Sequence, residues 1–162
     1  MINVKTIKLG KNVQYIEGGH AFDYNDTLQS IEIDPENPYF MAENGTIYTK
    51  DKTQLVAFIN NTATQFTIPE GIEVIQVSAF SGRKQLTNIV LPTTLKEIKY
   101  YSFARCHGLT KIEIPNSIES IEWAVFEDCS NLSQIIIDKP KGSISGSPWG
   151  CVYGDRAIKW LR

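Results

Sequence analysis

Cysteine and histidine are scarce in this chain of 162 residues, three of the first and two of the second, and Cys106 stands directly beside His107. A thiol next to an imidazole offers two chemistries. It could be a nucleophile with its base, or half of a metal site. Either needs more than adjacency. A nucleophile needs a base that reaches the sulfur, an orienting group and a pocket. A zinc-type site needs four ligands gathered in space. Gly142-Ser-Ile-Ser-Gly146 also invites inspection, but no Lys-Ser/Thr follows it and its central residue is Ile144. It fits neither a phosphate loop nor a nucleophile elbow.

What surrounds Cys106 is a repeat. Leu86 to Phe103 (LTNIVLPTTLKEIKYYSF) aligns column by column with Leu109 to Phe126 (LTKIEIPNSIESIEWAVF). Phe80, Phe103 and Phe126 recur every 23 residues, as do Ile75, Ile98 and Ile121. The unit reads L-x-x-I-x-I/L-P-x-x-I/L-x-x-I-x-x-x-(small)-F-x-x-C-x-x-L. The N-terminal third carries it less regularly, with one extra residue near Gly18-Gly19. The period-2, β-branched L-x-x-I-x-I segment predicts a strand. The proline after Ile68, Leu91 and Ile114 ends it. A second extended piece follows, as at Ile118–Ile121, and then a corner with room for one helical or 3-10 turn. One repeat cannot bury its own apolar columns, whereas stacked repeats can. Six strand cores are expected: Ile7–Leu9, Ile31–Ile33, Phe66–Ile68, Ile89–Leu91, Ile112–Ile114 and Ile135–Ile137. At strand spacing they span about 24 Å. The step from Ile31 to Phe66 is 35 rather than 23. A β-hairpin inserted at about 34–65, with strands Thr46–Thr49 and Leu55–Phe58 around a turn at Lys50–Thr53, accounts for the excess. The organisation read is therefore repeats over 1–137 and a C-terminal cap over 138–162, in which Trp149 and Trp160 cover the last rung.

At these residues the chain resembles the BspA-like (Treponema pallidum type) leucine-rich repeat. Ile68-Pro69, Ala79-Phe80, Phe103, Phe126, Cys106 and Cys129 stand at that family's landmarks, and the long insert and the tail Ser145–Gly150 are similar to its variants. The chain departs from the pattern where Gln76, Lys99 and Glu122 replace a frequent glycine, and where Arg83 and Asn25 fill the cysteine column. The resemblance implies an α/β-type leucine-rich-repeat solenoid of horseshoe form, strand-rich with short helical or 3-10 corners and a parallel sheet of about six rungs. It also implies a non-enzymatic interaction or adhesion module, surface-associated or secreted, of a kind known from bacteria and protozoan parasites. The alternative is a structural spacer with no ligand of its own.

Composition limits partners. Net charge is −2 and the isoelectric point is near 5.7, which gives no basic face for nucleic acid. No apolar run is long enough to span a membrane, and the N-terminus alternates polar and apolar residues unlike a signal peptide. The partner expected is a protein or glycan, met by the outward columns of the main sheet. Those columns carry Lys8, Glu32, Thr67, Val90, Lys111, Glu113, Gln134 and Ile136. The sequence begins in mid-repeat, so self-association through an uncapped N-terminal edge is a further expectation.

No catalytic residue, cofactor or metal is expected. Cys106 and Cys129 share a column and are read as buried, reduced thiols, with Cys151 left over. His107 is replaced by Ser130 in the next copy. Tyr100, Tyr101 and Trp123 are expected to pack as buried aromatics on the opposite side.

Overall fold

Apolar residues two apart, bounded by proline on one side and a tight corner on the other, form very short strands. The computed structural model describes residues 4–22, 25 and 27–162. In chain order the strands are β1 (Thr6–Leu9), β2 (Ser30–Ile33), β3 (Phe40–Glu43), β4 (Thr46–Thr49) and β5 (Gln54–Phe58). Then come β6 (Gln65–Thr67), β7 (Val74–Ile75), β8 (Asn88–Val90), β9 (Glu97–Ile98) and β10 (Lys111–Ile114). Last are β11 (Ser120–Ile121), β12 (Gln134–Ile137) and β13 (Ile158–Trp160). The only helical pieces among the described residues are two 3-10 turns, Gly18–Phe22 and Gly154–Ala157. The chain is the expected strand-rich solenoid, and all six expected strand cores overlap strands, with Ile68 and Leu91 falling one residue beyond β6 and β8.

Each coil runs from a second-face strand through a corner to a main-face strand. The second face is one continuous sheet in the order β11-β9-β7-β5-β4-β3. Its parallel part repeats one bonding pattern: Glu73 donates to the Thr53 carbonyl, Lys96 to Glu73 and Glu119 to Lys96. The corners are laddered as well. The amides of Phe58, Phe80, Phe103 and Phe126 donate to the carbonyls of Ala79, Ser102, Val125 and Trp149. Phe58, Phe80, Phe103 and Phe126 stack inside them, with centroids 5.2, 5.1 and 5.9 Å apart. Two backbone positions per corner lie in the left-handed region at 23-residue intervals: Ser78, Tyr101 and Ala124, then Gly82, Arg105 and Asp128. Because these positions recur in every full repeat, their strain belongs to the corner and marks no special site.

Two findings go beyond the sequence reading. The insert is a three-stranded meander, because β3 pairs antiparallel with β4 across Asn44-Gly45. Both turn residues have positive φ (51° and 72°), the conformation an Asn-Gly hairpin turn requires. The meander is not an appendage. Its last strand, β5, is the second-face strand of its own coil and pairs with β7. Tyr48, Leu55 and Phe58 face the main core, while Ile47, Val56, Ala57 and Ile59 face a separate N-terminal core with Phe22, Leu28 and Ile31. The insert is thus a wall between two cores.

The C-terminal segment also does more than cover a rung. Ile158 stands 23 residues after Ile135, and β13 pairs with β12 in that register, Ile135 with Ile158 and Ile137 with Trp160. This adds a seventh strand to the main face. Trp149 is 1% exposed, and Trp160 tilts against it at 6.5 Å. The period-2 pattern Ile158-Lys159-Trp160 is the signal from which this strand could have been read.

Candidate functional site

The main face is not one sheet. It divides into β1–β2, β6–β8 and β10–β12–β13. Where coils close, the residue before each strand carries a repeated bond. Thr87 and Asn88 donate to the Thr64 carbonyl, and Ser133 and Gln134 donate to the Thr110 carbonyl. Between β8 and β10 this pattern has no counterpart: Thr110 and Lys111 make no such bond to Thr87. The same two coils stay joined elsewhere, through β7–β9 on the second face and through the corner, where Gly82 donates to Ala104. They are bonded on two sides, and on the third β8 and β10 approach within 8 Å between Cα atoms without forming a ladder.

A groove of about 1040 Å³ lies over this unladdered junction. Asn88, Val90 and Thr93 line one wall, and Lys111, Glu113 and Asn116 line the other. Ile136, Asp138 and Leu161 close one end. Val90 is 48% exposed. Lys111 and Glu113 pair at 2.6 Å on the rim, and Arg162 grips Asp138 with bonds of 2.8 and 3.0 Å. The floor is core: Ile89, Leu91 and Ile114 line it and are all buried. The groove therefore combines apolar depth, hydroxyl and amide walls, and strand-edge backbone groups without ladder partners.

Of the eight sheet-face residues chosen from sequence, the groove gathers four: Val90, Lys111, Glu113 and Ile136. Ile136 is half-buried, because Lys159 of β13 lies beside it. Gln134 is exposed on β12, next to Lys111 in register. Lys8 and Glu32 lie apart from the groove, paired with each other at 2.8 Å across β1 and β2. Thr67 is exposed opposite Val90 in the β6–β8 ladder.

The thiols and imidazoles are placed otherwise. The Cys106 thiol donates to the Phe80 carbonyl at 3.2 Å, and Cys129 repeats this to Phe103 at 2.9 Å. All three cysteines are free. Burial pushes the Cys106 thiol far above its ordinary range and the Cys129 thiol up to about 12. A thiol held protonated in this way is a poor nucleophile at neutral pH. Cys151 is not left over. It is buried, its thiol donates to the Leu132 carbonyl at 3.4 Å, and it extends the same column. His107 meets Asp128 at 3.4 Å. Arg83, which replaces cysteine in the preceding copy, is buried with its guanidinium on Asn61. Among the described residues no three His, Cys, Asp or Glu side chains are grouped to hold a metal ion.

Of Tyr100, Tyr101 and Trp123, expected as buried aromatics, Tyr101 is half-buried and the other two are exposed. Trp123 is 62% exposed and Tyr100 39%. They form an open stack on the outside of the second-face corner, because their column follows Gln76, Lys99 and Glu122, which already turn away from the core.

A model of the BspA type leucine rich repeat region matches residues 52–148 in six copies. The chain belongs to that family. This BspA-type chain has no match among curated proteins. Its solved likenesses are bacterial. A leucine rich cell surface protein from Faecalibacterium prausnitzii A2-165 shares 20% identity with a TM-score of 0.69, over 99% of this chain and 48% of that one. The pneumococcal vaccine antigen PcpA shares 19% identity with a TM-score of 0.66, over 83% and 39%. A leucine-rich repeat protein from Eubacterium ventriosum shares 24% identity with a TM-score of 0.62, over 85% and 43%. The BspA-type chain thus spans less than half the length of these structures, and at such identities the likeness is one of fold. It is a protein-interaction repeat module on a scaffold that is generally non-enzymatic. Among the described residues no helix is long and apolar enough to cross a membrane.

Proposed function

We propose that this module acts at the cell surface or outside it, in adhesion, and holds an extended segment of a partner protein in the groove over β8 and β10. The observation that carries this reading is the missing ladder. Strand-edge amides and carbonyls that would be satisfied in a closed sheet stand at the wall of a groove with an apolar floor. Because β8 and β10 still approach within 8 Å between Cα atoms, the segment lies over the two strands rather than between them. Its side chains meet Val90, Ile136 and the Lys111–Glu113 pair, and its backbone reaches the unladdered groups beside them. The bacterial cell-surface likeness of the fold supports the location.

Binding to immobilised matrix and mucosal-surface proteins tests it. Val90→Asp and Lys111→Glu alter exposed positions and leave the core intact. Each is expected to weaken binding at least about tenfold, while Lys8→Glu on β1 leaves it unchanged. Equal binding by all three variants would refute the groove and leave the array as a spacer.

A further inference from the structure

The exposed aromatic stack on the opposite side of the coils lies outside that groove. Tyr100 and Trp123 are one repeat apart (123 − 100 = 23), with rings 6.0 Å apart and within 10° of parallel. Tyr101 braces the indole edge-on, at 5.0 Å and 73°. Tyr100 also forms a wall of a second pocket of about 430 Å³, with Tyr15, Glu17, Thr49, Gln54 and Gln76 around it. Tyr15 is 78% exposed. A polar column runs beside the aromatic one. Gln76 donates to Gln54, Lys99 pairs with Glu97 and Glu122, and Glu122 accepts the Tyr100 amide at 2.8 Å.

We infer that this strip binds a neutral oligosaccharide, with one sugar ring in the pocket against Tyr100 and the chain continuing along the stack to the exposed indole of Trp123. Three observations point to sugar. Aromatic faces carry negative potential and attract the C–H face of a pyranose. The side chains bordering them are amides and carboxylates held in place by mutual hydrogen bonds, ready to take hydroxyls on the ring's rim. The pocket has the volume of a small-ligand site. A protein hot spot, by contrast, is ringed by contacts that exclude water, whereas this strip is bordered by Gln, Glu, Lys and Thr. Charge favours the neutral class: Glu17 lines the pocket with His20 beside it, and along the stack Glu97 and Glu122 outnumber Lys99, which both of them engage.

Tryptophan emission tests it, because Trp149 is buried and Trp160 half-buried, leaving Trp123 as the accessible indole. A Trp160→Phe background removes the remaining ambiguity. Glucose-, galactose- and mannose-based neutral tetrasaccharides are titrated, with a uronic-acid-containing tetrasaccharide as the charged control. The expected result is a saturable shift with at least one neutral series. It is weakened at least about tenfold by Tyr100→Ala and by Gln76→Ala, and retained in Val90→Asp, so that the two sites are separated. No shift with any neutral sugar at about 10 mM, equal binding of the acidic control, or binding that survives Tyr100→Ala overturns the inference. So does loss of a protein partner, rather than a sugar, in Tyr100→Ala. Circular dichroism confirms that each variant is folded.

Discussion

A thiol that donates to the carbonyl one coil back does a task that serine could attempt and valine could not. Cys106 and Cys129 each give a phenylalanine carbonyl inside the Phe stack a second donor, beside the Arg83 amide on Phe80 and the Cys106 amide on Phe103. The same burial sets a pH dependence. Cys129 titrates near 12 in the folded chain against an ordinary value of 9.0, and Cys106 is raised as well. Between those values the unfolded chain has lost these protons and the folded chain keeps them. Stability is therefore complete below about pH 9 and falls as pH rises above it, by up to about 1.4 kcal/mol per pH unit for each thiol. Urea midpoints under reducing conditions should drop between pH 8 and pH 10.5, and Cys106→Val with Cys129→Val should flatten that decline. An equal decline in the double variant would assign it to other groups. The inward reading of the cysteine column was legible from Phe126-Glu-Asp-Cys-Ser-Asn-Leu132, which keeps the thiol and discards the histidine. The place of Cys151 was not, because the tail reaches that column after 22 residues rather than 23 (151 − 129 = 22) and so leaves the repeat frame.

Elements in this fold are too short to stand alone, so their placement rests on a few close approaches. Gly19 donates to the Val77 carbonyl at 2.9 Å, and a Cβ on it would lie 1.8 Å from the Ser78 carbonyl oxygen. The extra residue in the first repeat thus serves to seat the 3-10 turn Gly18–Phe22 against a later corner. Gly19→Ala should lower unfolding free energy by about 2–4 kcal/mol. Gly45→Ala, which only strains a left-handed turn residue, should cost about 1 kcal/mol. Chemical denaturation measures both, and equal losses would mean that the close approach is not what holds the turn. Periodicity located the main-face strands because one face of each is buried. It said less about the insert, where β4 and β5 are buried on both faces and the alternation disappears. Strand β3 was announced only by Asn44-Gly45, a hairpin signal that outweighs its irregular flanks.

At the scale of the whole molecule, the stack is a series of interfaces between neighbours, each contributing nearly independently. One is incomplete. In native-state hydrogen exchange the Thr110 and Lys111 amides should exchange faster than those of Ser133 and Gln134, which hold the equivalent bonds one coil later. Equal protection would mean that the main face closes in solution and the groove is filled by its own strands. Nothing in the sequence distinguishes this junction. Asn88-Ile-Val90 against Lys111-Ile-Glu113 brings isoleucine against isoleucine inside, as does the closed pairing of Lys111-Ile-Glu113 with Gln134-Ile-Ile136. A repeat frame tells which side chains point to the core. It does not tell whether two successive rungs meet, which depends on how the corners and the second face together tilt each coil.

A junction tied on two sides and unladdered on the third also has a mechanical meaning. When load is applied along the stack, this junction resists with the β7–β9 ladder and the corner bonds, without a main-face row beside them. Tension concentrates there, and the coils on either side can pivot about the bonded edge as a book does about its spine. An array anchored at one end and gripped in the groove would feel every pull first at the place where it holds its partner.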